Sequence, residues 1–556
     1  MYHIIFKQDG KEDIKVSAQS GDRILELALK AGVPVDSPCS GNGTCGKCRM
    51  KLISGDVSMP HSHKLSREDY RDGWRLACQS SVIGDAVLWI PKEAGAFQSD
   101  IRTADLGSEE ELSRYREQTE RLFSYGIEKG CEQTGYGAAF DIGTTTVTAA
   151  LLRLSDGAVL SKGSLGNAQI QFGADVINRI IQSSRPGGRE KLRSAVLDGT
   201  IRPILDGMLK DSGLSAEDVS RLVIAGNTTM EHLLLGEDAE SIRLEPFQPA
   251  FLEREGDTAQ SVGLNASPDA PVIFAPNVGS YVGGDITAGV LASGLWAGDE
   301  TTLFIDLGTN GELVLGNCEY MLCCACSAGP AFEGGDISCG MRATTGAVDA
   351  VWIDESTLIP TLSVIGGGKP SGLCGSGLIS VISELFRCGI ISAKGKFIRE
   401  HERVIYDDYG GASYVVATPE ESRNGHSIEI NESDLDNFIR AKAAIFSAVR
   451  TMLNATGMTV EDIDRVILAG GIGSGIDIDK AISIGMLPKL SKEKYSYIGN
   501  SSLSGACAML LSDDAAGRVF DIGRNMTYIE LSTEAGYMDE FVAACFLPHT
   551  DSSLFR

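Results

Sequence analysis

Ala139-Phe140-Asp141-Ile142-Gly143-Thr144-Thr145-Thr146-Val147-Thr148 and Leu303-Phe304-Ile305-Asp306-Leu307-Gly308-Thr309-Asn310-Gly311-Glu312-Leu313 are two versions of one phrase. Each is an apolar strand, then Asp-x-Gly-Thr, then an apolar or β-branched return strand. A second echo follows each of them. Leu222-Val-Ile-Ala-Gly226-Asn227-Thr-Thr comes after the first, and Val466-Ile-Leu-Ala-Gly470-Gly471-Ile-Gly473 after the second. The order predicts a duplicated α/β half rather than a short-period repeat. A hairpin with Asp-x-Gly-Thr at its turn suits phosphate and Mg²⁺. The carboxylate holds the cation through water, since Mg²⁺ keeps much of its hydration shell. The glycine lets backbone N–H groups approach an anion, and the threonine hydroxyls add donors. One such turn is an ordinary hairpin signal; two in matching halves, with a late Gly470-Gly471-x-Gly473 turn, carry more. The late turn, with a helix expected over Asp477 to Gly485, leaves space for adenine and ribose.

This arrangement resembles the ASKHA superfamily of acetate and sugar kinases, Hsp70-type ATPases and actin. In that superfamily two ribonuclease-H-like lobes close over ATP. The resemblance implies a first phosphate loop at Asp141, Gly143, Thr144, Thr145 and Thr146. It implies a second at Asp306, Gly308, Thr309 and Asn310, and an adenosine loop at Gly470, Gly471 and Gly473. No G-x-x-x-x-G-K-[ST] is present, so a P-loop ATPase is excluded. Asp285, after Gly283-Gly284, and Glu312 are candidate cation-binding or water-orienting carboxylates; a helix cap or a salt bridge is the plainer role of each.

Outward toward the N-terminus, Pro38-Cys39-Ser40-Gly41-Asn42-Gly43-Thr44-Cys45-Gly46-Lys47-Cys48-Arg49 and the later Cys78 give C-x5-C-x2-C and then a distant fourth cysteine. This looks like the ligand loop of a one-cluster ferredoxin of the adrenodoxin-like branch. Cys39, Cys45, Cys48 and Cys78 would hold a [2Fe–2S] cluster, which moves one electron. Gly41, Gly43 and Gly46 let the backbone wrap the sulfides. Structural zinc and buried thiols fit the loop and the distant fourth cysteine less well. The stretch Gly41-x-Gly43-x-x-Gly46 also matches the dinucleotide fingerprint, but no βαβ unit follows it and cysteines interrupt it.

The chain has 556 residues, room for three or four domains, and a formal net charge of −26, which argues against nucleic acid as main partner. Residues 1–95 hold 13 Lys/Arg and 12 Asp/Glu, so the acidity lies in the body. The opening Met1-Tyr-His-Ile-Ile-Phe reads as a strand without the pattern of a signal peptide. No run approaches a membrane helix. A cluster-binding chain without a signal predicts a reducing cytoplasm despite 14 cysteines. The expected divisions are a β-grasp ferredoxin-like domain over 1–95, a charged helical linker over 96–135 that can serve as a dimer contact, a first lobe over 136–300 and a second over 301–556.

A ferredoxin-like domain on an ASKHA-like body resembles the ATP-dependent reductive activators of corrinoid proteins, across essentially the whole chain. Segments that carry the likeness include Phe172-Gly-Ala-Asp-Val-Ile-Asn-Arg-Ile, Asn277-Val-Gly-Ser-Tyr-Val-Gly-Gly-Asp-Ile, Cys326-Ser-Ala-Gly-Pro-Ala-Phe-Glu-Gly-Gly, Leu373-Cys-Gly-Ser-Gly-Leu and Phe546-Leu-Pro-His. The resemblance implies a low-potential electron donor, ATP with Mg²⁺, a methyltransferase's corrinoid protein as partner and a homodimer. The reaction implied is return of Co(II) to Co(I). A gap of a few hundred millivolts for one electron is roughly 5–7 kcal/mol, within reach of ATP. Alternatives are a small-molecule kinase with a redox module, an Hsp70-like remodelling module, and an activator of another low-potential metalloenzyme. Ser327 is expected either at the partner's cobalt face or as a loop-shaping residue. Cys318, Cys323, Cys324, Cys326 and Cys339 read as buried strand and loop residues rather than a second metal site. His61 and His63 are expected to bind no metal, and His549 to be structural.

Overall fold

The computed structural model describes residues 1–33, 35, 41, 43, 46–60, 62, 64–65, 67–91, 117, 119–173, 175–407, 410–471 and 475–555. Cys39, Cys45, His61, His63, Gly473 and the first part of the charged stretch after Ser108 lie outside them.

The first sheet holds β1 (Tyr2–Lys7), β2 (Ile14–Ala18), β3 (Arg49–Ser58), β4 (Trp74–Leu76) and β5 (Ser81–Trp89) in the order β2-β1-β5-β3-β4. Its first and last strands are parallel neighbours, with Ile4 beside Ala86. Helix Ile24–Lys30 lays Ile24, Leu25, Leu27 and Ala28 on one face of the sheet, against Ile4, Phe6, Leu76 and Leu88. That spacing is the apolar stripe of an amphipathic helix. This is the β-grasp expected from the cysteine loop.

The body carries the duplication. Its first half is β6 (Tyr136–Ile142), β7 (Thr146–Arg153), β8 (Val159–Gly166), β9 (Val219–Gly226) and β10 (Val272–Phe274), ordered β10-β9-β6-β7-β8. The second half opens with β11 (Thr302–Leu307), β12 (Gly311–Gly316) and β13 (Met321–Cys326). Two small sheets are inserted next: β14 (Ala347–Ile353), β15 (Pro360–Val364) and β16 (Gly372–Leu373), then β17 (Val404–Tyr406), β18 (Ala412–Ala417) and β19 (Ile428–Asn431). The main sheet resumes with β20 (Arg465–Ala469), β21 (Tyr495–Tyr497) and β22 (Met526–Tyr528), ordered β21-β20-β11-β12-β13-β22. In both halves an antiparallel three-strand meander gains two strands parallel to its first. Asp141 lies beside Ala225 and Asp306 beside Ala469, the same register.

Helices Gly284–Ser293 and Ser501–Leu511 form a central layer. Their shared core takes Ala139 and Val223 from one sheet and Phe304, Val314 and Ile467 from the other. The two helices touch backbone to backbone at Gly505, where an added Cβ would collide with Ala288 O. A Gly505→Ala change would therefore push the lobes apart, since close-packed interiors yield little.

The end of the expected linker differs from a solvated spacer. Leu122 and Ile127 are buried in that central core, and the Glu128 and Glu132 N–H groups donate to Asp514 and Asp513, each at 2.9 Å. Two apolar side chains in a charged stretch suffice to dock it. Among the described residues, no helix is long and apolar enough to cross a membrane.

Candidate functional site

The two Asp-x-Gly-Thr turns face each other at the ends of β6 and β11. Gly143 N–H closes the first on Thr146 O and Gly308 N–H the second on Asn310 O, both at 3.0 Å. The end of β20 lies over the second turn. Gly470 there has φ +94°, and a Cβ on it would stand 2.8 Å from Asp306 Oδ1, so only glycine fits. Gly471 follows, exposed. Helix Ile478–Ser483, capped by Asp477, comes next, as expected from the sequence.

Four carboxyl groups gather between the turns. Asp141 accepts from Asn500 Nδ2 at 2.7 Å and Ser502 Oγ at 2.8 Å, and Asp306 accepts from Ser501 Oγ at 3.2 Å. All three donors sit at the N-terminus of helix Ser501–Leu511, capped by Asn500. Asp285 occupies the first turn of helix Gly284–Ser293, whose N-cap is Gly283, and accepts from Ile286 N–H at 2.9 Å. Glu312 is buried and pairs with Asp306 across β11 and β12. Burial raises the Asp141 carboxyl. Burial, then the charge of Asp141, lifts Asp306 to about 7. Burial and the neighbouring Asp141 and Asp306 raise Asp285; burial with Asp285 and Asp306 raises Glu312. Like charges crowded out of water raise one another's pKa, and such a cluster of oxygen donors is chemically suited to a hard divalent cation.

The hydroxyls of the turns meet as well. Thr145 Oγ1 and Thr309 Oγ1 are 2.8 Å apart, and both donate to Glu333 Oε2, at 3.2 and 3.0 Å. Thr144 is fixed from behind: Asn227 Nδ2 donates to its Oγ1 at 3.1 Å and Arg179 Nη2 to its carbonyl at 2.6 Å. Arg179 is fully buried, and burial lowers its guanidinium to about 9. Sequence reasoning missed Arg179, Asn227, Glu333, Asn500, Ser501 and Ser502 as site residues. The available signals were Asn500 as a helix N-cap before an apolar run, and a lone arginine in Phe172-Gly-Ala-Asp-Val-Ile-Asn-Arg179.

In the ferredoxin-like domain, Cys48 and Cys78 are buried side by side, with Cys78 N–H donating to Cys48 Sγ at 3.4 Å. A Cβ on Gly41 would come within 3.8 Å of Cys78 Cβ. Paired buried thiols, a backbone N–H aimed at sulfur and a glycine-lined approach fit an iron–sulfur cluster. Lys47, next to Cys48, donates from Nζ to Gly334 O at 2.8 Å and Gly340 O at 2.6 Å, on the second lobe.

The other sequence candidates fall elsewhere. Ser327 is exposed beside a shallow cleft of about 290 Å³ lined by Asp336, Asn437, Arg440 and Phe541. Cys323, Cys324 and Cys326 lie buried in β13, and burial raises their thiols and that of Cys339, keeping them protonated. Cys318 is exposed. His549 is buried against the Phe446 ring, and burial lowers its pKa.

Residues 6–82 match the 2Fe-2S iron-sulfur cluster binding domain, residues 136–297 the RACo middle region, and residues 300–556 the C-terminal domain of RACo, the ASKHA domain. The corrinoid activation enzyme RamQ of Eubacterium limosum is 29% identical over 96% of this chain and 97% of its own length. The [Co(II) methylated amine-specific corrinoid protein] reductase of Methanosarcina barkeri is 24% identical over 70% of this chain and 73% of its own. A solved structure of a reductive activator for corrinoid, iron-sulfur protein is 40% identical, covers all of both chains and superposes with a TM-score of 0.71. A β-grasp cysteine domain, a duplicated body with facing acidic turns and full-length likeness to that activator place the chain in the family of reductive activators of corrinoid proteins.

Proposed function

We propose that the chain is an ATP-dependent reductive activator that returns the Co(II) corrinoid of a methyltransferase's corrinoid protein to Co(I). The observation that carries the reading is the convergence of Asp141, Asp285, Asp306 and Glu312 from both halves onto one buried acidic site, in a chain with a ferredoxin-like domain. A [2Fe–2S] cluster on Cys39, Cys45, Cys48 and Cys78 supplies a one-electron carrier, and ATP with Mg²⁺ supplies the driving force. The chain's residues do the positioning. Asp306, Asp285 and Glu312 would hold the cation, while Asn500 and Ser502 orient Asp141. Thr144, Thr145, Thr309 and Asn310 with Gly143 and Gly308 offer the donors for phosphates, and Arg179 clamps the first turn from behind. Gly470 and Gly471 would leave room for the adenosine. The substrate cobalt gains one electron, which a low-potential donor outside the chain must replace. A cytoplasmic setting and a homodimer complete the reading.

The test is anaerobic. Cluster-loaded, reduced protein is mixed with a Co(II) corrinoid protein, and the Co(I) absorption is followed with and without ATP–Mg²⁺. Co(I) should appear only with ATP and vanish in Cys78→Ser and Asp306→Ala. Steady ATP consumption with a small metabolite, and no Co(I) with any corrinoid protein, would replace this reading with a kinase.

A further inference from the structure

A short run of contacts joins the nucleotide turns to the cysteine loop. Glu333 ends the turn of 3-10 helix Pro330–Glu333 and accepts from both Thr145 and Thr309. Gly334, the next residue, has φ +75° and lies against Gly340: a Cβ on Gly334 would stand 2.8 Å from Gly340 C, and one on Gly340 2.7 Å from Gly334 Cα. Their carbonyls thus form two jaws that close on Lys47 Nζ at 2.8 and 2.6 Å. A second anchor between the domains is Lys64 Nζ to Ser433 Oγ at 3.1 Å. Asp434, next to Ser433 in helix Glu432–Thr456, ties that helix back to the same loop by accepting from Ser338 N–H at 2.8 Å. The segment from Glu333 to Gly340 therefore touches the two Asp-x-Gly-Thr turns through Glu333 and the residue beside Cys48 through Gly334 and Gly340.

The Thr145 and Thr309 hydroxyls are donors that a nucleotide phosphate would take, and Glu333 already holds them. A carboxylate and a phosphate repel at one pair of donors. Arg342, which Glu333 faces electrostatically, would be left to the incoming anion. We infer that Glu333 is a positioning residue coupling nucleotide binding to release of the ferredoxin-like domain: phosphate displaces it from Thr145 and Thr309, the Gly334 and Gly340 jaws part, and Lys47 lets go. The ferredoxin-like domain, held on the body through Lys47 and Lys64 before ATP binds, is then free to meet a partner. This rests on the nucleotide reading above and adds to it the residue that senses the phosphate.

Binding linkage is reciprocal, so whatever weakens the dock must tighten ATP. The experiment measures ATP–Mg²⁺ affinity by calorimetry on full-length, cluster-loaded protein, together with hydrogen exchange of residues 46–52 and 334–341. Glu333→Gln should tighten ATP about fivefold, and Lys47→Ala, on the other domain, by a similar factor. The double variant should match the tighter single within about twofold, since the two act through one device. Lys64→Ala, which leaves the jaws intact, should tighten ATP by a smaller factor. ATP should raise exchange in both segments of the unsubstituted protein, and Lys47→Ala should show that exchange without ATP. The relay is overturned by ATP affinity in Lys47→Ala and Lys64→Ala equal to that of the unsubstituted protein, by additive effects in the double variant, or by exchange indifferent to ATP. Failure of the unsubstituted protein to bind ATP would instead sink the nucleotide reading, and the relay with it.

Discussion

The two halves of the body share strand order and register yet differ in what they bury. Opposite Asp141 across the first hairpin stands Thr148, close to Ser164 with their hydroxyls 3.4 Å apart; opposite Asp306 stands Glu312. Asp141 has two side-chain donors, Asn500 and Ser502, whereas Asp306 has Ser501 and a second carboxyl across the ladder. The buried basic side chains differ too. Arg179 holds the first Asp-x-Gly-Thr turn, while Lys442 in the second half donates to Phe546 O at 2.6 Å and Pro548 O at 2.7 Å and ties down the C-terminal segment. Duplication preserved the scaffold, and a few side-chain differences gave one half an aspartate with two side-chain donors and the other an aspartate facing a second buried carboxyl.

That asymmetry can be broken. Asp306→Asn should cost about 10²-fold in ATP turnover, because it removes charge from the site proposed for the cation. Asp141→Asn should cost about tenfold, since Asn500 and Ser502 still hold the side chain in place. Steady-state ATPase assays of the two variants settle it; equal losses would mean the halves act alike.

Lys442 gives the next largest effect. Burial lowers its ammonium from 10.5 to about 7. Between those values the unfolded chain holds the proton and the folded one does not, so stability rises with pH above about 7. Below that the cost of burying the charge is fully present and constant. Urea unfolding should show a gain of about 2 kcal/mol from about pH 7 to 9, at most about 1.4 kcal/mol per unit. Lys442→Met should lose the slope; a slope that survives would assign it elsewhere.

The smallest effects sharpen the contrast across the hairpins. Thr148→Val should cost about 1 kcal/mol for its hydroxyl contact with Ser164. Glu312→Gln should raise the melting midpoint without Mg²⁺ by removing one of four crowded acids, and reduce the further rise that Mg²⁺ brings. A Glu312→Gln protein that melts lower without Mg²⁺ would show that the acids are not repelling one another.

Much of this was legible in the chain. The cysteine spacing named the first domain, and the repeated Asp-x-Gly-Thr and Ala-Gly phrases named the duplicated body and most turn residues. The charged stretch before Tyr136 did not announce that Leu122 and Ile127 at its end are buried in the central core, since that depends on a surface existing to receive them. Ser327 lies exposed on a shallow cleft, and Glu333 six residues on, which no local pattern marked, reaches the two Asp-x-Gly-Thr turns.

By itself the sequence determined what is written in contiguous residues: ligand spacing, strand–turn alternation and the chemistry of each turn. Only the tertiary structure decided which side chains complete the site. Asn500 and Ser502 stand 359 and 361 residues from the aspartate they hold, and Lys47 stands 287 residues from the Gly334 carbonyl it grips. A hydrogen bond reaches about 3 Å. Whether such distant groups come that close depends on how two central helices meet at Gly505 and how one domain sits on the other, and no local pattern encodes that.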